Sequence, residues 1–369
     1  MDGKDRRSGD AGKHNYGVDL LRLLAMFMVL SLHVYGHGGI LERLPMFSAK
    51  YEIVWLVESL CICCLNCYML ISGYVGVCAK YRFSNLALLW LRVLFYSLLI
   101  TAAVKLFSPN AVDLREWVQS LLPVLFNRYW FFTAYFAVFL MMPLLNAACH
   151  SLSKKQLDTA FAALFLFLSV LPTVLHQDPF HTNFGSGALW FVLAYLVGAY
   201  IRLYGLLPSW SCVRLFLLYL AGCMGIWLFK LLFELGTARV LGTARVGNHL
   251  MVHVSPLVLL SAAALLLLFS RMEVSDKLVP WIKRISPLAF SVYLIHEHPL
   301  FREHVIGRLS FLGEYPLPLL LLGHLAAVLA LYVFCLGVDA GREALFRRLK
   351  IGARLRELEE KRFPELWKN

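Results

Sequence analysis

Apolar residues in this chain come in long runs separated by short polar connections. Ten runs can be delimited, over 18–35, 53–77, 86–107, 130–148, 157–175, 188–204, 212–235, 254–271, 285–301 and 318–339. Most reach the roughly 18–25 residues that a helix needs to cross about 30 Å of hydrocarbon. Backbone amides in lipid must find partners within their own segment, so the runs predict helices. The expected fold class is all-α: a polytopic membrane helix bundle of about ten transmembrane helices. The fifth run contains Pro172, and residues 117–126 are apolar but short, which predicts an interfacial helix.

Basic residues are biased to one side of these runs. Lys4, Arg6, Arg7 and Lys13 precede the first run, and a dense set including Arg347, Arg348 and Arg354 follows the last. Lys80, Arg82, Lys154 and Lys155 fall in same-side loops, and the opposite loops hold fewer cations. Positive loops stay inside, so both termini are expected in the cytoplasm. The chain then divides into a tail over 1–17, a membrane domain over 18–340 and a basic, amphipathic tail over 341–369. The longest connection, 108–129, is too short for a separate catalytic domain.

Composition agrees with this reading. Of 369 residues, 60% are hydrophobic and only 16% charged. The net charge of +12 sits in loops and tails, so no nucleic-acid partner is expected; the lipid bilayer is the partner. Cys61, Cys63, Cys64 and Cys67 cluster inside an apolar run without a paired zinc spacing, and are read as small hydrophobes with no disulfide framework. The first run ends in His33-Val-Tyr-Gly-His37 with no small-residue cleavage site, and is expected to be retained. There is no G-x-S-x-G elbow and no phosphate-binding glycine loop. His14 and Asp19 show an H-x4-D spacing, read as coincidence because it straddles a polar tail and a helix start.

Ionisable residues inside spans are costly and usually face a cavity or a partner. Here they are Arg22, His33, Glu58, Arg92, His296, Glu297 and His324. Lys105 and Lys230 lie near span ends and are expected to snorkel. Arg22 and His33 are eleven residues apart, about 16 Å along a helix and three turns round it, so they share a face. A guanidinium near the cytoplasmic surface can hold phosphate, and a deeper imidazole can act as a general base. Equally, Arg22 can anchor its helix and His33 can be a packing residue. Glu58, at comparable depth on the second run, is either a carboxylate that orients His33, as in a catalytic dyad, or a helix-terminal glutamate exposed to water. His296 could line the same cavity or make a structural hydrogen bond. His324 is read as structural. Arg92 is either a second phosphate contact or a snorkelling cation. His33 and His37 could share a metal, but the spacing indicates no third ligand, and no metal is expected.

Five segments, in order, resemble the membrane acyltransferase-3 family. NYGVDLLRLLAMFMVLSLHVYGHGG carries Arg22, ten residues, then His33; ESLCICCLNCYMLISGYVGV ends in Ser72, Gly73 and Tyr74. RYWFFTAYFAVFLMMPLLN has Trp130 and Pro143, ALWFVLAYLVGAYIR is a glycine-containing span, and SVYLIHEHPL supplies His296. The resemblance covers nearly the whole chain. It implies transfer of an acyl group, commonly acetyl, from cytoplasmic acyl-CoA to a sugar hydroxyl or amine of a surface polysaccharide or lipid-linked glycan, in a bacterial-type plasma membrane. On that reading Arg22, Arg92 and nearby loop cations hold the acyl-CoA phosphates; His33, aligned by Glu58 and with His296 lining the same cavity, either takes the acceptor's proton or carries the acyl group transiently; and Asn66, Ser72, Tyr74 and Trp130 are candidate acceptor-wall residues. The family's Arg-x-x-Arg on the third helix is reduced here to Arg92, with Leu89 three residues before it, and Lys80 and Arg82 are expected substitutes. A homodimer is an open expectation. The competing reading is a transporter or flippase for a glycan or small metabolite, which sparse buried charges also fit.

Overall fold

The computed structural model describes residues 14–363. The cations Lys4, Arg6, Arg7, Lys13 and Lys368, and most of the expected 1–17 tail, lie outside the described residues. Every regular element among the described residues is helical. In chain order the helices are α1 (Tyr16–Gly36), α2 (Ala49–Cys61), α3 (Cys64–Gly76), α4 (Phe83–Phe107), α5 (Leu114–Leu121), α6 (Trp130–Ser151), α7 (Lys154–Phe165) and α8 (Leu171–Leu175). They continue as α9 (Ala188–Tyr204), α10 (Cys212–Leu241), α11 (Pro256–Arg271), α12 (Val279–Ile285), α13 (Ala289–His296), α14 (Pro299–His304), α15 (Leu317–Arg348) and α16 (Ile351–Arg362).

Among the described residues, 7 helices are long and apolar enough to cross a membrane: α1, α2 with α3, α4, α6, α7 with α8, α10 and α15. The apolar helices α9 and α11 are shorter. The run 285–301 is not one continuous helix but the end of α12, a 3₁₀ turn, α13, a break and α14. Pro172 does not end the fifth run. A π-helical stretch over Leu166–Val170 precedes it, and that widened turn gives room where a proline ring would crowd the helix. The expected interfacial helix falls slightly earlier, as α5, whose start is capped by Asp113 accepting from the Glu116 amide at 2.8 Å. α10 runs past its expected end and stops at Gly242, which takes the left-handed conformation at φ 71°.

The helices form two compact units: Met1–Leu32, Leu44–Lys80 and Leu140–Ser286 in the first, His33–Arg43, Tyr81–Phe139 and Pro287–Asn369 in the second. In the first unit α3 packs on α9, and α10 packs on α11 and α2. Small residues set the first of these contacts: a β-carbon at Gly73 would collide with the Tyr195 carbonyl, and one at Gly198 with the Leu70 carbonyl. Such close backbone approach adds van der Waals contact, one of the forces that hold helices together in lipid.

Lys230 does not snorkel. It is fully buried, with Nζ 3.1 Å from Glu52 and 3.0 Å from Glu234.

In the second unit α13 packs on α15 and α4, and α5 and α16 pack on α4. Tyr96 donates to Asp339 at 2.6 Å, and Arg342 reaches the same carboxylate at 2.6 Å, tying α4 to α15. The charged helix α16 is anchored through Glu359, which accepts from the Phe83 amide at 2.7 Å and so caps the start of α4.

Candidate active site

The local sequence His296-Glu297-His298-Pro299 explains the break between α13 and α14. Proline has no amide hydrogen and pushes its predecessor out of the helical region; His298 is extended at φ −56°, ψ 127°. His298 then caps α14, its Nδ1 accepting from the Leu300 amide at 3.2 Å. With α13 ended, the consecutive residues His296 and Glu297 both turn towards His33.

All three belong to the second unit. His33 Nδ1 lies 2.9 Å from His296 Nε2 and 3.1 Å from Glu297 Oε2. The tautomers follow from the hydrogen bonds. His296 Nδ1 is 2.6 Å from the Val292 carbonyl, which can only accept, so the His296 proton sits on Nδ1. Neutral His296 therefore presents a lone pair at Nε2, and His33 Nδ1 donates to it. That assigns the His33 proton to Nδ1 and leaves its lone pair on Nε2. The His33 side chain is 18% exposed, whereas Glu297 is 4% exposed.

Glu297 is shared further. Arg302 Nη1 is 3.2 Å from Oε1, and His37 Nε2 is 3.4 Å from Oε2. One donor atom from each of His33, His37 and Glu297 lies within 4.8 Å of the others. The third donor that spacing along the first run could not indicate thus comes from the far end of the chain.

Beside this cluster lies a second buried group of polar side chains. His298 Nε2 is 3.3 Å from the Ser97 carbonyl, 3.4 Å from Thr101 and 3.3 Å from Arg128. Arg128 is buried, and pairs with Glu116 at 2.7 Å. The interfacial helix α5 is thereby tied to the start of α6 next to the α13–α14 break.

The other residues singled out from sequence have these places. Glu58 is buried in the first unit and its Oε1 has no hydrogen-bond partner; the carboxylate that meets His33 is Glu297. Arg22, also in the first unit, is paired with Asp19 at 2.5 Å and donates to Ser286 at 3.3 Å. The same Asp19 lies 2.5 Å from His14, so the H-x4-D pair is one end of an ion network on Arg22. Asn66 is fully buried and both ends of its amide are used: it accepts from Trp190 at 2.9 Å and donates to the His253 carbonyl at 2.9 Å. Ser72 donates to the Tyr68 carbonyl one turn back, and Tyr74 accepts from Arg202 at 3.3 Å. Arg82 pairs with Glu360 at 3.2 Å, and Lys80 is exposed in the same connection. Arg92 donates through Nη1 to the Pro287 carbonyl at 3.2 Å while its buried Nε has no partner. Trp130 is half-buried at the start of α6, edge-on to Phe131. His324 stacks on Tyr35, with ring centroids 3.6 Å apart.

Comparison with known proteins gives one family. The model described as "Acyltransferase domain" matches residues 15–338. No curated protein and no solved structure matches the chain.

Proposed function

The chain belongs to the acyltransferase family whose model spans residues 15–338, and from that premise we propose that it is a membrane O-acyltransferase that moves an acetyl group from acetyl-CoA to a sugar hydroxyl of a surface polysaccharide or lipid-linked glycan. The observation that carries the mechanism is the pair of contacts on His33 Nδ1, 2.9 Å to His296 and 3.1 Å to Glu297. They leave Nε2 as the base.

In the proposed step His33 Nε2 takes the proton of the acceptor hydroxyl as its oxygen attacks the thioester carbonyl. The carbon–sulfur bond breaks, and the coenzyme thiolate leaves with the proton returned from the imidazolium. The products are an acetyl ester and free CoA thiol. Glu297 stabilises the imidazolium while it exists, as the buried carboxylate does in a catalytic triad. His296 fixes which nitrogen carries the proton. Glu297 takes the orienting role that the sequence suggested for Glu58.

Arg92 is the best-suited donor cation, because its Nε retains a hydrogen with no acceptor, whereas Arg22 and Arg82 are engaged by Asp19 and Glu360. Charge bias in the sequence supports an orientation with both termini cytoplasmic, and the family resemblance supports a bacterial-type plasma membrane.

The test uses full-length protein in proteoliposomes with radiolabelled acetyl-CoA and a glycan acceptor. Label should move to the acceptor with release of one CoA thiol per acetyl group. His33→Ala that retains full transfer would remove His33 from the mechanism. Uptake of glycan without CoA release would favour a transporter.

A further inference from the structure

We infer that His33, His37 and Glu297 form a binding site for a divalent transition metal of the zinc class, and that occupancy switches the His33 base off. The binding half stands on the side chains alone. The inhibitory half rests on the acyl-transfer reading.

Two imidazoles and one carboxylate are a known zinc donor set, one that leaves a fourth position open. Zinc bonds to nitrogen and oxygen of about 2.0–2.1 Å place neighbouring donors of a tetrahedral site about 3.3 Å apart. Here Glu297 Oε2 is 3.1 Å from His33 Nδ1 and 3.4 Å from His37 Nε2. Two of the three donor pairs, both through Glu297 Oε2, are at ligand spacing, and all three donors lie within 4.8 Å of one another, so seating an ion requires the two imidazoles to close on it.

His296 adds an independent observation. Its Nδ1 is held by the Val292 carbonyl at 2.6 Å, the outer hydrogen bond typical of metal-binding histidines, so its Nε2 lone pair faces the cluster 2.9 Å from His33 Nδ1. That lone pair and Glu297 Oε2 both face His33 Nδ1, two acceptors for the one proton that atom carries. A shared proton on His33 fills the gap in one state; a cation fills it in the other. His37 is exposed and gives the ion a way in.

The consequence is a tautomer swap. A metal on His33 Nδ1 takes the lone pair there, and the single proton of the neutral ring moves to Nε2. The atom that would accept the acceptor's proton then already carries one, and transfer stops. No proton is gained or lost by the ring.

The test is equilibrium dialysis of purified full-length protein against zinc chloride, with X-ray absorption at the zinc edge. About one equivalent should bind through nitrogen and oxygen only, and His37→Ala and Glu297→Gln should each weaken binding at least about tenfold. Thermal unfolding checks each variant, and His37→Gln serves if His37→Ala does not fold. Sulfur ligation would assign the metal to the cysteines and overturn the proposal, as would binding that is absent or unchanged in these variants. In the transfer assay zinc should inhibit the wild type reversibly on chelation. Zinc bound at this site without inhibition would overturn the switch. If the protein proves not to transfer acyl groups, the dialysis and absorption results still decide the metal site.

Discussion

Arg302 Nη1 lies 3.2 Å from Glu297 Oε1, on the opposite carboxylate oxygen from the one that faces His33. The carboxylate therefore has one oxygen committed to a cation and the other to imidazole. Arg302 is 39% exposed, so solvent screens much of the pair. Replacing Arg302 with Gln is expected to lower kcat by about three- to tenfold, whereas Glu297→Gln removes the charge opposite the imidazolium and should cost about 10²-fold or more. Steady-state acetyl transfer on both variants measures the ratio. Equal losses would mean that the carboxylate works only as part of its pair with Arg302 and not by itself.

His296 is expected to act on the orientation of His33 without touching substrate. His296→Ala deletes the acceptor that draws the His33 proton to Nδ1, leaving Glu297 alone to hold it. The loss should fall on kcat, by about tenfold to 10²-fold, with KM nearly unchanged. His296→Gln, whose side-chain oxygen can accept from Nδ1, should recover part of it. A variant that raises KM alone would place His296 in acceptor binding instead.

Much of the fold is written in the apolar runs, because lipid forbids unpaired backbone and run length maps directly onto helix length. The run 285–301 is the exception. Its hydrophobicity hides His298-Pro299, two residues that stop α13 and turn Glu297 inward. Glu297 stood among the buried ionisable groups from the start, yet nothing local distinguishes it from Glu58. Only the meeting of α13 with the end of α1 does so, over more than 260 positions of sequence separation. Lys230 departs from the snorkelling expectation for a related reason: Glu234 is its i,i+4 neighbour on α10, but the second carboxylate, Glu52, reaches it only through the packing of α2 on α10.

Asn66 tests the difference between an acceptor wall and a strut. Its amide joins Trp190 of α9 to the His253 carbonyl before α11, and both bonds are buried. Asn66→Leu leaves an indole N–H and a carbonyl without partners, at about 1–3 kcal/mol each. Thermal unfolding should therefore occur at clearly lower temperature, while the KM for acceptor in the remaining folded protein stays near the wild-type value. A raised KM with unchanged stability would return Asn66 to the substrate site.

The strongest structural prediction concerns Lys230. Its side chain is 0% exposed, as is that of Glu234, and Glu52 is 17% exposed. One ammonium bridges two carboxylates and offsets one of their two negative charges. Glu234 Oε1 accepts from the Tyr51 hydroxyl at 2.9 Å and from the Gly247 amide at 3.3 Å, which supports the second negative charge. The ammonium also lies 3.9 Å from the centre of the Tyr51 ring. Lys230→Met keeps the stem's length but leaves two carboxylates facing each other, one of them without water, and is expected to cost about 3–5 kcal/mol. Adding Glu52→Gln removes that repulsion and leaves only the cost of the buried Glu234 charge, so the double variant should unfold at higher temperature than Lys230→Met alone. Strict additivity of the two single changes would mean the three groups do not share one electrostatic network.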